Sequence, residues 1–148
     1  MEVIPFFKYH GAGNDFVLLD GRNSPSGKVL DEDWVAWVCH RHFGVGADGL
    51  MVLKSSDEVD FVMDYYNSDG RLGSMCGNGG RCIVSFSKYL QIAEDEVTFD
   101  AADGLHKAIF RDNGEVSLQM ADVSGMEPLL DGFFLDTGSP HLVLWVED

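Results

Sequence analysis

The sequence of 148 residues has few cysteines and no long apolar run. Three cysteines are an odd number with no repeating spacing, so we expect free thiols in a reducing compartment rather than a disulfide framework. No apolar run approaches the ~20 residues that a membrane span requires. The N-terminus (MEVIP) lacks the basic region and apolar core of a secretory signal. These absences predict a cytoplasmic protein with no membrane partner.

Basic residues are also scarce, 10 Lys and Arg against 25 Asp and Glu, and the formal net charge is −15. The imbalance is greatest in residues 91–148, where 13 acidic residues face 2 basic ones and the net charge is −11. Residues 1–90 have 12 acidic and 8 basic residues, a net charge of −4. Such a surface repels nucleic acid and anionic membranes, so neither is an expected partner. An anionic substrate would need local hydrogen-bond donors.

The order of apolar and turn residues predicts an α+β fold made mainly of antiparallel strands. A short helix is expected after the N-cap Asp31, and a second helix, largely enclosed, over the apolar residues 83–90. The pairs Asp-Gly and Asn-Gly at 103–104 and 113–114 predict hairpins. Since strands follow strands without crossover helices in this interpretation, a parallel α/β fold is not expected. The predicted strands are residues 5–10, 16–20, 49–53, 59–66, 97–99, 105–110 and 116–120.

A shift in composition near residues 123–125 predicts a domain boundary. The first domain would comprise residues 1–122, and residues 123–148 would begin a second, similar domain. Within this second part, residues 142–146 (LVLWV) are predicted to be a buried strand whose partners are missing from the chain.

The most informative segment is residues 74–82 (SMCGNGGRC), which places Cys76 in a glycine-rich turn just before the enclosed helix. A sulfur there lies against backbone N–H groups that have no intrahelical acceptor, at the positive end of the helix dipole. Both effects favour the thiolate, and the same N–H groups can bind a substrate carboxylate. The segment therefore predicts a base or nucleophile beside an anion site.

Other motifs have simpler interpretations. Residues 44–49 (GVGADG) match a dinucleotide fingerprint by letter, but they follow a helix and precede a strand, which favours a tight turn. Cys39 and His42 have no second pair of zinc ligands at a suitable spacing, so Cys39 is expected to be a buried thiol and no metal is expected. Cys82 is expected to be a structural thiol within the helix. Taken alone, Asn14 and Asn67 would be turn-forming side chains.

Four segments together resemble the diaminopimelate epimerase family. Residues 7–16 (FKYHGAGNDF) and 41–49 (RHFGVGADG) are similar to two of its N-terminal signatures, and residues 67–82 are similar to its active-site signature. Residues 137–141 (TGSPH) resemble a motif at the start of its second domain. The matches follow one another along nearly the whole chain.

The resemblance implies an isomerase without PLP or any other cofactor, which interconverts LL- and meso-diaminopimelate in lysine and cell-wall precursor synthesis. Its fold would be a barrel-like sheet around a central helix, repeated in two domains, with one proton-transferring cysteine from each. Cys76 falls on the first of these cysteines, and a homodimer is one expected assembly. The other matched positions are Gly77 and Asn78, whose N–H groups would bind the α-carboxylate, Asn14 and Asn67 as substrate contacts, and His141 as a histidine that supports catalysis.

Two features depart from the family pattern. Ser139 stands where many members have an asparagine that contacts substrate, and no second glycine-flanked cysteine motif is present. The second half of the active site is therefore expected from a missing C-terminal half, and the chain alone is expected to be inactive. Two other hypotheses stay open: a related cofactor-independent racemase or isomerase for another small acid, and an inactive remnant that acts only as a binding or structural module.

Overall fold

A computed structural model describes residues 3–23 and 30–147, which form two helices and ten strands in two sheets. The outer ends of the two predicted domains, residues 1–2 and 148, lie outside the described residues. Neither described helix is long and apolar enough to cross a membrane. The elements are β1 (Phe7–Gly11), β2 (Asn14–Asp20), α1 (Glu32–Cys39), β3 (Gly49–Lys54), β4 (Phe61–Asn67), α2 (Gly77–Tyr89), β5 (Glu96–Ala101), β6 (Gly104–Phe110), β7 (Val116–Leu118), β8 (Glu127–Leu129), β9 (Gly132–Asp136) and β10 (Pro140–Leu144).

The larger sheet contains β1 to β7 in the order of the sequence. Most neighbours are antiparallel, which confirms the predicted mainly antiparallel α+β fold. The expectation of no crossover helices is wrong, because β2 pairs with β3 and β4 pairs with β5 in parallel. Each parallel pair is connected through a helix, α1 or α2. Two parallel strands begin at the same end of the sheet, so the chain must cross back to that end before the second strand starts.

Helix α2 lies on the inner face of the curled sheet and contacts β1, β2, β3 and β7. Ile83, Val84 and Phe86 are fully buried in the main core, which confirms the predicted enclosed helix. Tyr89 is an exception: it is 61% exposed, although its ring lies against Phe7 with 5.1 Å between ring centroids. The helix begins at Gly77, directly after Cys76, so its first turn precedes the apolar run over residues 83–90. The run does not mark this turn, because glycine has low helix propensity and gives no apolar signal.

Helix α1 covers the opposite face of the same sheet. Asp31 caps it as predicted, accepting a hydrogen bond from the backbone N–H of Trp34 at 2.9 Å. Val35 and Val38 pack with Leu50 and Tyr66 in a second apolar cluster. The sheet is therefore covered on both faces, with α2 inside its curvature and α1 outside.

The smaller sheet pairs β8, β9 and β10 antiparallel. The prediction of a buried strand over residues 142–146 is wrong: the strand ends at Leu144, and Leu142, Val143 and Leu144 are 43–48% exposed. The physical reason is that nothing among the described residues forms a second layer over this three-stranded sheet.

Candidate active site

Cys76 is the N-cap residue of α2, and its sulfur lies against the first turn of that helix. The backbone N–H of Gly79 points to the Cys76 Sγ at 3.5 Å, and the N–H of Gly80 donates to the Cys76 carbonyl at 2.7 Å. The N–H groups of Gly77 and Asn78 precede this first intrahelical bond, so the helix offers them no acceptor. The side chain of Cys76 is half-buried, between the main core and solvent. A sulfur and two donor N–H groups therefore lie side by side.

Asn14 and Asn78 meet at this sulfur. The Oδ1 atom of Asn14 lies 3.6 Å from Cys76 Sγ and 3.5 Å from the Nδ2 of Asn78. The chain brings Asn14 here through a tight β1–β2 hairpin, whose two loop residues, Ala12 and Gly13, both have positive φ. The end of the hairpin packs closely on α2: a Cβ added at Gly11 would lie only 3.2 Å from the Cβ of Asn78. Three residues singled out in the sequence thus form one cluster.

A network of charged side chains lies on the side of Asn14 that faces away from Cys76. Asn14 Nδ2 donates to Asp48 Oδ2 at 2.8 Å, and Arg41 Nη2 bonds both Asp48 at 2.7 Å and Asp15 at 2.8 Å. Lys8 pairs with the other oxygen of Asp15 at 2.7 Å. Hydrogen bonds from Arg41, and then the charge and hydrogen bond of Lys8, hold the pKa of Asp15 well below its usual range. The network therefore consists of ionised groups at neutral pH.

Sequence reasoning missed a role for Asp48 and Arg41. Both lie in the stretch 41–49, whose sequence predicts a tight turn and resembles a family signature, but indicates no role for either side chain. The available signal was the set of charged residues inside a turn that also contains Gly46, whose φ is 79°. The same segment enters β3 as a tight turn, which confirms that structural interpretation of the dinucleotide-like letters.

Ser139 lies against the segment that carries Cys76. Its hydroxyl oxygen is 2.7 Å from the hydroxyl of Ser74 and 3.4 Å from the carbonyl oxygen of Met75. The loop before β10 therefore touches the two residues that precede the N-cap cysteine. This contact joins the smaller sheet to the candidate site.

His141 and Asn67 have hydrogen-bond partners outside the cluster. His141 is exposed, and its Nδ1 lies 2.7 Å from the carbonyl oxygen of Ser139 and 3.3 Å from the hydroxyl of Thr137, both in its own loop. Asn67 is the last residue of β4, where its backbone N–H donates to the Arg71 carbonyl at 2.8 Å in the predicted turn. Within the described residues, neither side chain is hydrogen-bonded to Cys76, Asn14 or Asn78.

The other two cysteines have a different environment. Cys39, in α1, and Cys82, in α2, are 3% and 4% exposed, as expected for structural thiols. Burial raises the pKa of each thiol to about 11. Both therefore stay protonated near neutral pH, and Cys76 is the cysteine with polar partners and access to solvent.

The arrangement around Cys76 suits proton transfer. The Gly79 N–H and the helix dipole stabilise negative charge on the sulfur, whereas the Asn14 oxygen accepts a hydrogen bond from the protonated thiol. The free N–H groups at the helix N-terminus are donors for a carboxylate. A thiol in this setting can take up or release a proton beside a bound anion.

Comparison with solved structures identifies the class of fold. The chain is similar to a probable proline racemase from Agrobacterium radiobacter K84, with a TM-score of 0.68 and 17% identity, over 96% of this chain and 52% of the racemase. A sheet curled around an enclosed helix is thus the fold that this chain shares with that protein.

The particular family follows from the sequence matches. Residues 6–125 match the family model for diaminopimelate epimerase, and the chain belongs to this family. It is 45% identical to the diaminopimelate epimerase of Flavobacterium psychrophilum, over 96% of this chain and 55% of the relative. It is 40% identical to that of Aquifex aeolicus, over 97% of this chain and 57% of the relative. The chain therefore spans about half the length of these curated relatives.

Proposed function

We propose that the chain is the N-terminal part of a PLP-independent diaminopimelate epimerase, in which Cys76 is one of two thiols that remove and return an α-proton. The observation that carries this proposal is the position of Cys76 Sγ, which receives the Gly79 N–H at 3.5 Å and faces Asn14 Oδ1 at 3.6 Å. Membership of the diaminopimelate epimerase family supports the choice of substrate.

The chemistry requires stabilisation of charge at carbon. The α-proton of an amino acid is very weakly acidic, so the transition state carries carbanion character that preorganised donors must stabilise. We assign the N–H groups of Gly77 and Asn78 to the α-carboxylate, which would draw electron density away from the α-carbon. One thiolate takes the proton and becomes a thiol, while the opposing thiol gives its proton to the other face and becomes a thiolate. The configuration inverts and no net proton is consumed.

The remaining predicted site residues have supporting roles in this proposal. Asn14 and Asn67 contact the substrate at the ends of β2 and β4, and the Ser139 hydroxyl replaces the amide that many family members carry. His141 supports catalysis from the start of β10. The proximity of Ser139 to Ser74 and Met75 supports placing residues 137–141 near the site.

The second thiol would come from further chain, absent from these 148 residues. We propose that residues 1–122 form the first domain and that residues 123–148 begin a second domain of similar fold. The exposed apolar side chains of β10 support this division, because a second layer would cover them. The chain alone would be inactive, and the complete enzyme would be cytoplasmic and homodimeric.

The test uses the protein at its natural length with LL- and meso-diaminopimelate in deuterated water. Cys76→Ala should lower α-deuterium incorporation by about 100-fold or more, because it removes one acid/base group. Cys39→Ala is the matched control, since that thiol is buried on the outer face of the sheet, and it should retain activity.

Near-normal exchange by Cys76→Ala in both substrate directions would refute the role of this thiol. Exchange with proline or another amino acid, and none with diaminopimelate, would indicate a related racemase. A protein that exchanges no amino acid tested would be a binding or structural module instead.

A further inference from the structure

The charged network behind Asn14 has no part in the proton transfer described above. We infer that Asp48 is a positioning residue that fixes the amide orientation of Asn14, so that the amide oxygen and not the nitrogen faces the Cys76 thiol. The catalytic consequence rests on the proposed role of Cys76, whereas the orientation itself is independent of any activity.

The first step is that Asp48 only accepts hydrogen bonds. Bonds from the Asn14 amide and the Asp15 backbone N–H, with a further bond from Arg41, lower the pKa of the Asp48 carboxyl. The group is therefore a carboxylate at neutral pH, and a carboxylate has no proton to donate.

The second step concerns the amide of Asn14. Since Asp48 Oδ2 only accepts, the Asn14 atom that lies 2.8 Å from it must be the Nδ2 donor. Rotation of the Asn14 amide by half a turn would place its Oδ1 against Asp48 Oδ2, and neither oxygen has a proton to donate. The Oδ1 atom consequently faces the opposite side, where its two neighbours, Cys76 Sγ and Asn78 Nδ2, are both donors. Every contact of the amide agrees with this single orientation.

The third step is that Asp48 is itself held in place. The parallel pairing of β2 with β3 brings the Asp48 N–H to the Asp15 carbonyl at 2.9 Å. Arg41 Nη2 binds the remaining carboxylate oxygen of Asp48 at 2.7 Å and also binds Asp15. The arrangement therefore assigns a positioning role to Arg41 and Asp48, the charged residues of the 41–49 signature, which have no role in the proposed proton transfer.

The consequence is a balance of hydrogen bonds at the sulfur. The Gly79 N–H favours the thiolate, and the Asn14 oxygen favours the thiol. A thiol that must accept a proton in one reaction direction and donate it in the other needs both forms to be accessible. Without Asp48, the Asn14 nitrogen loses its acceptor, and only the 3.5 Å contact with Asn78 Nδ2 still favours the present orientation. A rotated amide would present its nitrogen to the sulfur and favour the thiolate.

The experiment measures alkylation of Cys76 by iodoacetamide as a function of pH, by peptide mass spectrometry, in the protein at its natural length. Asp48→Ala should move the midpoint of the profile to lower pH by about half a unit or more. Asp48→Asn removes the same charge, but its own amide oxygen can still accept from Asn14, so it should move the midpoint less. Because the Asp48 side chain is 43% exposed, neither change opens a core cavity.

A double-mutant cycle with Asn14→Ala isolates the orientation from the charge. In the Asn14→Ala background, Asp48→Ala and Asp48→Asn should shift the midpoint equally, because no amide is left to orient. Asp64→Ala is the matched control: Asp64, in β4, is also an ion-paired aspartate, but it pairs with Lys54 and should leave the profile unchanged. Equal shifts for Asp48→Ala and Asp48→Asn in the wild-type background would overturn the inference, as would additive effects of the Asn14 and Asp48 changes.

Alkylation needs no substrate, so it decides the orientation even if Cys76→Ala shows that this thiol has no catalytic role. If the enzyme is an epimerase, Asp48→Ala should lower kcat by about tenfold with a smaller change in KM, since it misplaces a group that acts on the transferring proton. Asp48→Asn should restore most of the lost kcat. A raised KM at unchanged kcat would contradict a positioning role.

Discussion

At the scale of single residues, the surroundings of a thiol decide what it can do. Cys82 lies only six residues after Cys76, yet it is 4% exposed and faces the main core. Cys76 is the N-cap that precedes α2, and from this position its sulfur receives the Gly79 N–H. Two cysteines of the same short motif therefore differ in exposure and in hydrogen-bond partners, because one caps the helix and the other packs against the core.

The buried thiols predict a loss of stability at alkaline pH. The pKa of Cys39 and of Cys82 rises from 9.0 to about 11 on folding, so the unfolded chain loses these protons first. Between those values the unfolded state binds fewer protons than the folded state, and the free energy of unfolding falls as the pH rises. The loss should approach about 2 kcal/mol per thiol near the upper value.

Urea unfolding at a series of pH values measures this effect. The double variant Cys39→Ala, Cys82→Ala should be less stable at neutral pH, because it loses buried volume, but its stability should decline less between pH 9 and 11. Tyr65, whose pKa burial raises to about 12, adds a decline only above its usual value of 10.0. A decline of the same slope in both proteins would contradict the role of the two thiols.

At the scale of elements, short-range signals were reliable and element boundaries were less so. Asp31 as the N-cap of α1, the turn at Asn67 and both hairpins were predicted and are confirmed. The position of Cys76 at the N-terminus of α2 was also predicted and is confirmed. The apolar run over residues 83–90 did not extend to the first turn, because that turn is stabilised by the Cys76 cap and by packing on β1 and β2, not by helix propensity. The signal for a helix is weakest at the end that carries the candidate site.

The turn after α1 packs closely on the end of that helix, and a substitution at Gly44 tests this packing. Gly44 passes so close to the end of the helix that a Cβ there would lie 2.0 Å from the Trp37 carbonyl oxygen and 2.5 Å from that of Val38. Gly44→Ala should lower the free energy of unfolding by about 3 kcal/mol, because the clash is with backbone that must shift. Gly125→Ala is the control, since nothing lies within 4 Å of its added Cβ, and its effect should be small. Equal thermal midpoints for the two variants would contradict the described packing.

At the scale of the whole molecule, charge and apolar surface are unevenly distributed. The net charge is −15, with −11 in residues 91–148, which include the exposed apolar strand β10. Self-repulsion of a strongly acidic chain opposes its compact state. Stability should therefore depend on the salt concentration more than on any single ion pair.

We expect the melting temperature near neutral pH to rise with sodium chloride up to about 0.3 M, because salt screens repulsion among 25 acidic residues. Near pH 4.4, the isoelectric point, this increase should vanish. Differential scanning fluorimetry at a series of sodium chloride concentrations, repeated at several pH values, measures the melting temperature under both conditions. A melting temperature that falls with salt near neutral pH would show that attraction in the Arg41 network outweighs the repulsion.

The sequence by itself determined what depends on neighbours along the chain: caps, turns, hairpins, the enclosed helix and the placing of Cys76 beside Gly77 and Asn78. The family resemblance also indicated Asn14, although its contact with Cys76 spans 62 positions. Only the tertiary structure decided the parallel pairings, the bond from Asn14 to Asp48 across 34 positions and that from Ser74 to Ser139 across 65. The physical reason is that caps, turns and helix propensity depend on residues close together in the sequence, so the sequence itself specifies them. Contacts between distant side chains exist only once sheet register and helix packing have brought their backbones together.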